Sequence, residues 1–222
     1  MALPSGQGSG TTQGGAPAGS TGSPSASGAT TAPSSLEATP VTSKNLPAAT
    51  DLVFGDQAYT VAETYRGDGQ APVAACQTMG WQDAGPNAVW TRTYNGKDGR
   101  FAGGTSVASF ASHADAVAAM ERMADGFAGC GRRMVAQNPD LLTSFTEKVV
   151  PLTFPNGHPG HAVTLNLTDG ETGTRSAVST GVVATGTHVA IIAIRSTDNP
   201  RAAADSRPIE DTLARSLVPL AR

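Results

Sequence analysis

The C-terminal half of the chain alternates apolar and polar residues in a pattern that predicts a run of β-strands. Four segments rich in β-forming residues lie at 145–153, 161–168, 175–184 and 188–195, with turn-forming residues between them. In the second segment Val163, Leu165 and Leu167 share one side, while Ala162 and Thr164 share the other. This alternation predicts one buried and one solvent-facing side. The fourth segment is continuously apolar, which predicts the central strand of an antiparallel β-meander.

The preceding part of the chain supplies further strands and the clearest helix. Strands are predicted at 58–65, 89–94 and 100–110, and the turn sequence NGKDG separates the last two. A helix is predicted after its N-cap Ser112, because Val117, Met120 and Met123 recur at helical spacing. The glycines on either side of Cys130 predict the end of this helix.

The order of these elements predicts the fold class. A helical turn at 72–80 and a closing helix at 208–218 complete the pattern. Strands and helices do not alternate strictly, so we expect an α+β fold. The expected architecture is a twisted antiparallel β-sheet with two helices packed on one face, preceded by a disordered tail.

The tail is set apart by its composition. Before Leu46 its charged side chains are Glu37 and Lys44, and the rest is mostly Gly, Ser, Thr, Pro and Ala. Such a segment has too little apolar surface to offset the entropy of ordering it. We therefore expect a disordered tether at 1–47 and a single α+β domain at 48–222. The net charge of −3 and the lack of a basic stripe argue against a nucleic-acid partner.

The two cysteines, Cys76 and Cys130, indicate where the protein works. An even count without a CxxC motif favours one structural disulfide, and two buried thiols in a cytosolic protein are the alternative. A disulfide and a tether together predict an exported protein at the cell surface. The segment MALPSGQGSG lacks the features of a signal peptide. We therefore expect a lipid anchor or membrane helix upstream of Met1; a cytosolic protein with a natural start codon is the alternative.

Several segments together resemble a known family. The resemblance spans roughly residues 50–220 and is carried by AVWTRTYNG, a strand ending in SFAS, the helix SHADAVAAMERMADGFAGC, the strand GTHVAIIAIRS and the closing helix. This order resembles the extracellular sensor domain of PknH-type bacterial Ser/Thr kinases, a domain also found in actinobacterial lipoproteins. The resemblance implies a twisted antiparallel sheet with flanking helices and a cleft for an unknown ligand. The kinase domain carries two disulfides, whereas this chain has cysteines for one, and no ligand-contacting residue carries over.

One strand carries the candidate ligand-binding residues. Trp90, Arg92 and Tyr94 share a face by the two-residue period of a strand. Two aromatic rings beside an arginine suit an anionic or sugar-like ligand through stacking and charge. The alternative is that the rings pack in the core while the arginine reaches water.

The histidines supply the candidates for catalysis or metal binding. His158 and His161 lie in FPNGHPGH, where a metal would need further ligands such as Asp140 or Glu147, and an exposed turn is the favoured interpretation. His113, His161 or His188 would be the base of a hydrolase, but the sequence lacks a GxSxG motif. We expect no metal, cofactor or catalytic residue.

These patterns lead to one functional expectation. We expect an exported, surface-tethered, non-catalytic domain that senses a small ligand or a cell-envelope component, with a membrane protein as a possible partner. A cell-envelope hydrolase and a structural, partner-binding lipoprotein are the alternatives.

Overall fold

The described part of the chain is built around one seven-stranded antiparallel sheet. A computed structural model describes residues 40–54, 58–67, 76, 79–154, 157, 159–197 and 211–212. The strands are β1 (Tyr59–Arg66), β2 (Ala88–Gly96), β3 (Phe101–Ser109), β4 (Leu142–Thr153), β5 (Pro159–Asp169), β6 (Arg175–Thr185) and β7 (His188–Thr197). Their order across the sheet is β1-β2-β3-β7-β6-β5-β4. The α+β fold class and the meander from β4 to β7 are therefore confirmed.

The position of β7 follows from its composition. It lies fourth in the sheet, between β3 and β6, as its unbroken apolar run predicted. Val189, Ile191 and Ile192 are buried on its two sides. A strand that buries both sides needs apolar residues at consecutive positions, and this explains why it shows no alternation.

Two longer helices lie on one face of the sheet. The helices are α1 (Trp81–Ala84), α2 (His113–Asp125) and α3 (Cys130–Gln137). The Ser112 side chain accepts a hydrogen bond from the backbone N–H of Asp115, which confirms the predicted N-cap of α2. Helix α2 contacts β5, β6 and β7, and α3 contacts β4 and β5.

The sequence analysis missed α3. It placed a helix end at Cys130, whereas a new helix begins there after Gly129, which adopts a left-handed conformation with φ of 72°. The glycine therefore separates two helices instead of ending the only one. Of the predicted closing helix, Asp211 and Thr212 are helical, and the remainder of 208–218 lies outside the described residues. The same holds for most of the turn at 72–80.

One hydrophobic core lies between α2 and the sheet, and the face opposite α2 and α3 carries a second hydrophobic core. Residues 41–54, which we call the strap, contribute the buried side chains of Val41, Leu46, Leu52 and Phe54. Two short 3-10 helices, Ser43–Asn45 and Ala49–Asp51, shape the strap. The packed chain therefore starts before the predicted boundary at residue 48. Residues 1–39 of the predicted tether lie outside the described residues.

The second core also buries the side of β5 that was expected to face solvent. Ala162 and Thr164 were expected to face solvent, but they are 0% and 5% exposed. Ala162 packs in the second core with Leu152 and Phe154 at this end of the sheet. The expectation of one solvent-facing side is wrong here because both faces of the sheet are covered.

Candidate ligand-binding site

The predicted ligand-binding residues lie on the strap face of β2. Trp90 and Tyr94 both pack against the second core, so their two-residue spacing does place them on one side. Arg92 contacts the strap from the position between them. All three residues therefore point away from α2 and α3.

The guanidinium of Arg92 is fully engaged by hydrogen bonds. Its Nη1 donates to the carbonyl oxygens of Leu46 at 3.2 Å and Pro47 at 2.8 Å. Its Nη2 donates to the carbonyl oxygen of Ser43 at 3.1 Å, and its Nε donates to Thr64 Oγ1 at 2.9 Å. Every guanidinium nitrogen thus has a partner, and Arg92 ties the strap to β1 and β2.

Tyr94 reinforces the same attachment. Its hydroxyl donates to the carbonyl oxygen of Pro47 at 2.7 Å and lies 3.1 Å from Thr105 Oγ1. The side chain is 1% exposed, and this burial raises the pKa of the Tyr94 hydroxyl. These contacts give Arg92 and Tyr94 a structural role, while ligand binding by Trp90, Arg92 and Tyr94 stays a prediction.

The predicted disulfide is confirmed and fixes the start of α3. Cys76 and Cys130 are bonded, with their Cα atoms 5.0 Å apart, and both are 0% exposed. Because Cys130 is the first residue of α3, the bond joins that helix to the segment that precedes α1.

A carboxylate on β4 holds the same end of α3. Glu147 Oε1 accepts from the backbone N–H of Gly129, and Oε2 accepts from that of Gly131, both at 2.8 Å. The first N–H groups of a helix have no partner within the helix, and a negative charge is favourable there. A Cβ atom at Gly131 would overlap the ring of Phe145, so close packing also requires glycine there. Helix α3 is therefore held firmly against β4.

A cleft of about 900 Å³ opens on the helix face of the sheet. Its walls come from α3, the turn that follows α3, and the ends of the strands from β2 to β7. The apolar lining residues are Met134, Leu141, Leu142, Leu167, Val178 and Ala102. This volume and this mixture of apolar and polar walls are typical of small-molecule sites. The sequence analysis did not predict the cleft, because its walls come from elements far apart in the chain.

Arg195 is the positive charge in the cleft. It lies on β7 in register with Val178 of β6 and Ala102 of β3, and its side chain is exposed. Among the described residues its side chain has no hydrogen-bond or ion-pair partner. The sequence feature that could have pointed to Arg195 is a cation at the end of the apolar run of the central strand.

Asp169 is the negative charge in the cleft, and it belongs to a turn. Its Oδ1 accepts from the backbone N–H of Thr172 at 2.7 Å, the Thr172 hydroxyl at 2.8 Å and the backbone N–H of Glu171 at 3.0 Å. These bonds, those from Thr172 first, hold the pKa of Asp169 below its ordinary value. The carboxylate thus stabilises the β5–β6 turn.

The candidate catalytic and metal-binding histidines have other partners. His161 Nε2 lies 3.2 Å from Glu121 Oε2, and His113 Nδ1 lies 2.7 Å from the carbonyl oxygen of Gly186. His188 is buried at the start of β7, and His158 lies outside the described residues. Within the described ranges, no group of three His, Cys, Asp or Glu residues is placed to hold a metal ion.

Comparison with known proteins finds a likeness in structure but none in sequence. No family model matches the chain, and no curated protein matches it in sequence. The fold is similar to the crystal structure of the extracellular domain of PknH from Mycobacterium tuberculosis, at 12% identity and a TM-score of 0.49. The match covers 80% of this chain and 97% of that chain. Membership of the sensor-domain family stays a prediction.

None of the helices that the structure describes is long and apolar enough to span a membrane.

Proposed function

We propose that this chain is an exported, surface-tethered, non-catalytic domain that binds a small ligand or a cell-envelope component. The observation that carries the proposal is the cleft of about 900 Å³ beside α3. Its walls are held in place by the disulfide and by Glu147. A pre-formed cleft on a rigid scaffold binds a ligand with little cost of reorganisation.

The disulfide supports the proposed location. Disulfides persist in oxidising compartments outside the cytosol, and the Cys76–Cys130 bond is fully buried. The Gly- and Ser-rich composition of 1–39 suits a tether between an anchor and the folded domain. The type of anchor, lipid or membrane helix, remains part of the proposal.

Partner binding along β4 is the second candidate function. This strand lies at the edge of the sheet and exposes Phe145 and Val149 by 37% and 42%. Leu141, just before the strand, is 54% exposed. Exposed apolar residues beside a strand edge that no described strand pairs with favour contact with another protein.

Native mass spectrometry tests ligand binding directly. The full chain is purified from its export compartment, and its native mass is compared with its denatured mass. We expect an added mass that persists in the native sample and leaves on denaturation. Ala102→Trp, which fills the cleft, removes the added mass, whereas Ala118→Trp on the exposed side of α2 retains it. A bare native mass for the unsubstituted protein would contradict the proposal and favour partner binding.

A further inference from the structure

We propose that the cleft takes an amphipathic anion, with an aliphatic body and one carboxylate or phosphate group. The anionic group lies on Arg195, and the aliphatic body lies against the open apolar surface of Met134, Leu141 and Leu142. This inference rests on the proposed function of the cleft and adds the chemistry of its ligand.

The placement of Arg195 is the first argument. Arg195 is exposed at the cleft, so its guanidinium stays hydrated and is free to exchange water for a ligand. Arg195 stands on the central strand between Val178 and Ala102, and the described residues supply no partner for it. The planar guanidinium matches carboxylate and phosphate groups through paired hydrogen bonds. An anion in the cleft would give Arg195 the partner that it lacks.

The apolar side chains around Arg195 are the second argument. Leu167 and Val178 line the cleft but are already 3% and 4% exposed, so a ligand gains little from covering them. Met134 and Leu142 are half-buried and Leu141 is 54% exposed, so these three keep apolar surface open to the cleft. A simple inorganic anion would leave that surface against water, whereas an aliphatic body would cover it. The site therefore suits a ligand with both parts.

The negative charge of Asp169 in the cleft argues against an anionic ligand. Among the described lining residues Asp169 is the charged one besides Arg195, and its carboxylate repels an anion. Its Oδ1 is held by Glu171 and Thr172 in the β5–β6 turn, so part of its charge is already compensated there. Arg195 has no such compensation among the described residues. The difference favours an anionic over a cationic ligand.

Four small probes of related shape separate the contributions. Octanoate carries the aliphatic body and the anion, octan-1-ol lacks the charge, octylamine reverses it, and acetate lacks the body. Each probe is titrated into the full-length chain, and dissociation constants are taken from the shifts of backbone amides around the cleft. We expect octanoate to bind at least about tenfold more tightly than octan-1-ol and octylamine, because a hydrogen-bonded charge contributes about that factor, and than acetate, because acetate buries no aliphatic chain.

Two arginine substitutions provide the matched comparison. Arg195→Gln should weaken octanoate binding about tenfold, to the level of octan-1-ol. Arg66→Gln removes the same charge from an exposed position at the end of the edge strand β1, outside the cleft lining, and should leave the affinity within about twofold, as surface charge changes away from a site usually do. Amide shifts far from the substituted residue show that both variants keep the fold.

The other outcomes separate this inference from the proposed function. Equal binding of octanoate and octan-1-ol, unchanged by Arg195→Gln, would overturn the anionic ligand and leave a binding cleft in place. Tighter binding of octylamine would overturn it in favour of recognition by Asp169. Absence of binding by all four probes would overturn the amphipathic anion, and native mass spectrometry would still decide whether the cleft holds another ligand.

Discussion

Two arginines on the same sheet are used in opposite ways. Arg92 lies on the strap face of β2, where its three guanidinium nitrogens donate to Thr64 and to backbone carbonyls of the strap. Arg195 lies on the helix face of β7, in the cleft, without a partner among the described residues. One arginine therefore holds the fold together, while the other is available to a ligand.

The difference shows what local sequence can and cannot reveal about a charged residue. Trp90 and Tyr94 make Arg92 look like the centre of a recognition patch, yet its partners come from the strap, more than forty residues earlier in the chain. Arg195 ends an apolar strand and has no conspicuous neighbours in sequence. Whether an arginine side chain is open to a ligand depends on which segment covers that face of the sheet. The covering segment comes from a distant part of the chain.

The disulfide has the largest expected effect on the free energy of unfolding, because it closes a long loop of the chain. It also fixes α3 at the wall of the cleft. Replacing both Cys76 and Cys130 with Ala should lower the free energy of unfolding by up to about 4 kcal/mol, the loop-closure value for residues 54 apart. Urea unfolding followed by circular dichroism measures this loss. The unsubstituted protein should show a similar loss after reduction. Identical unfolding curves with and without reductant would contradict a stabilising disulfide.

The two arginines should differ sharply when each is replaced by Met. Arg92→Met removes four hydrogen bonds, among them the one donated to the buried carbonyl oxygen of Leu46, and should cost about 3 kcal/mol of unfolding free energy. Arg195→Met should change stability by less than about 0.5 kcal/mol, because it removes no internal contact that the described residues make. Both values come from urea unfolding under one set of conditions. Equal losses for the two variants would break the comparison.

Glu147 tests how strongly β4 holds α3 beside the cleft. Glu147→Gln keeps one acceptor oxygen but places an amide NH₂ against a backbone N–H, so it should cost about 2 kcal/mol. Glu171→Gln, at an exposed turn position, is the matched control and should have little effect. If both variants unfolded at the same urea concentration, the helix cap on α3 would be unimportant.

Among the residues that hold the fold together, Tyr94 gives the smallest effect on stability and adds a dependence on pH. Tyr94→Phe should cost about 1 kcal/mol near neutral pH, because Pro47 still accepts a hydrogen bond from Arg92. The pKa of Tyr94 is raised above 10.0 in the folded protein, so the folded state holds this proton more tightly than the unfolded state does. Its contribution is therefore complete below pH 10 and is lost as the pH rises through the folded-state pKa.

The alkaline range isolates this group from the others that titrate there. The difference in unfolding free energy between the unsubstituted protein and Tyr94→Phe should shrink as the pH rises above 10. Taking the difference cancels the titration of lysines and of the other tyrosines. A difference that stays constant to high pH would show that the Tyr94 hydroxyl is not held in its neutral form.

The parts of the fold that local patterns determine were predictable. Runs of β-forming residues bounded by turn residues marked the strands from β1 to β7, and the apolar run of β7 placed it at the centre of the sheet. The N-cap Ser112 marked the start of α2. These signals succeed because strand and helix periodicity is carried by neighbouring residues. The pairing of Cys76 with Cys130 followed from their number.

The parts that depend on long-range packing were not predictable. Helix α3 was hidden because Gly129 and Gly131 suggest a helix end, whereas the second glycine is required by contact with Phe145 on β4. The strap was hidden because its apolar residues, such as Val41 and Leu46, are widely spaced in a polar segment. For the same reason, the two-residue period put Trp90, Arg92 and Tyr94 on one face but did not show that the strap covers it.

One measurement tests both sides of the comparison together. It is the gain in unfolding free energy when octanoate is present at about ten times its dissociation constant, recorded for the unsubstituted protein, Arg92→Met and Arg195→Met. Binding to the folded state alone predicts a gain of about 1.4 kcal/mol for the first two, with Arg92→Met starting from a lower stability. A tenfold weaker affinity predicts about 0.4 kcal/mol for Arg195→Met at the same concentration. A full gain in Arg195→Met, or a gain lost only in Arg92→Met, would contradict the account.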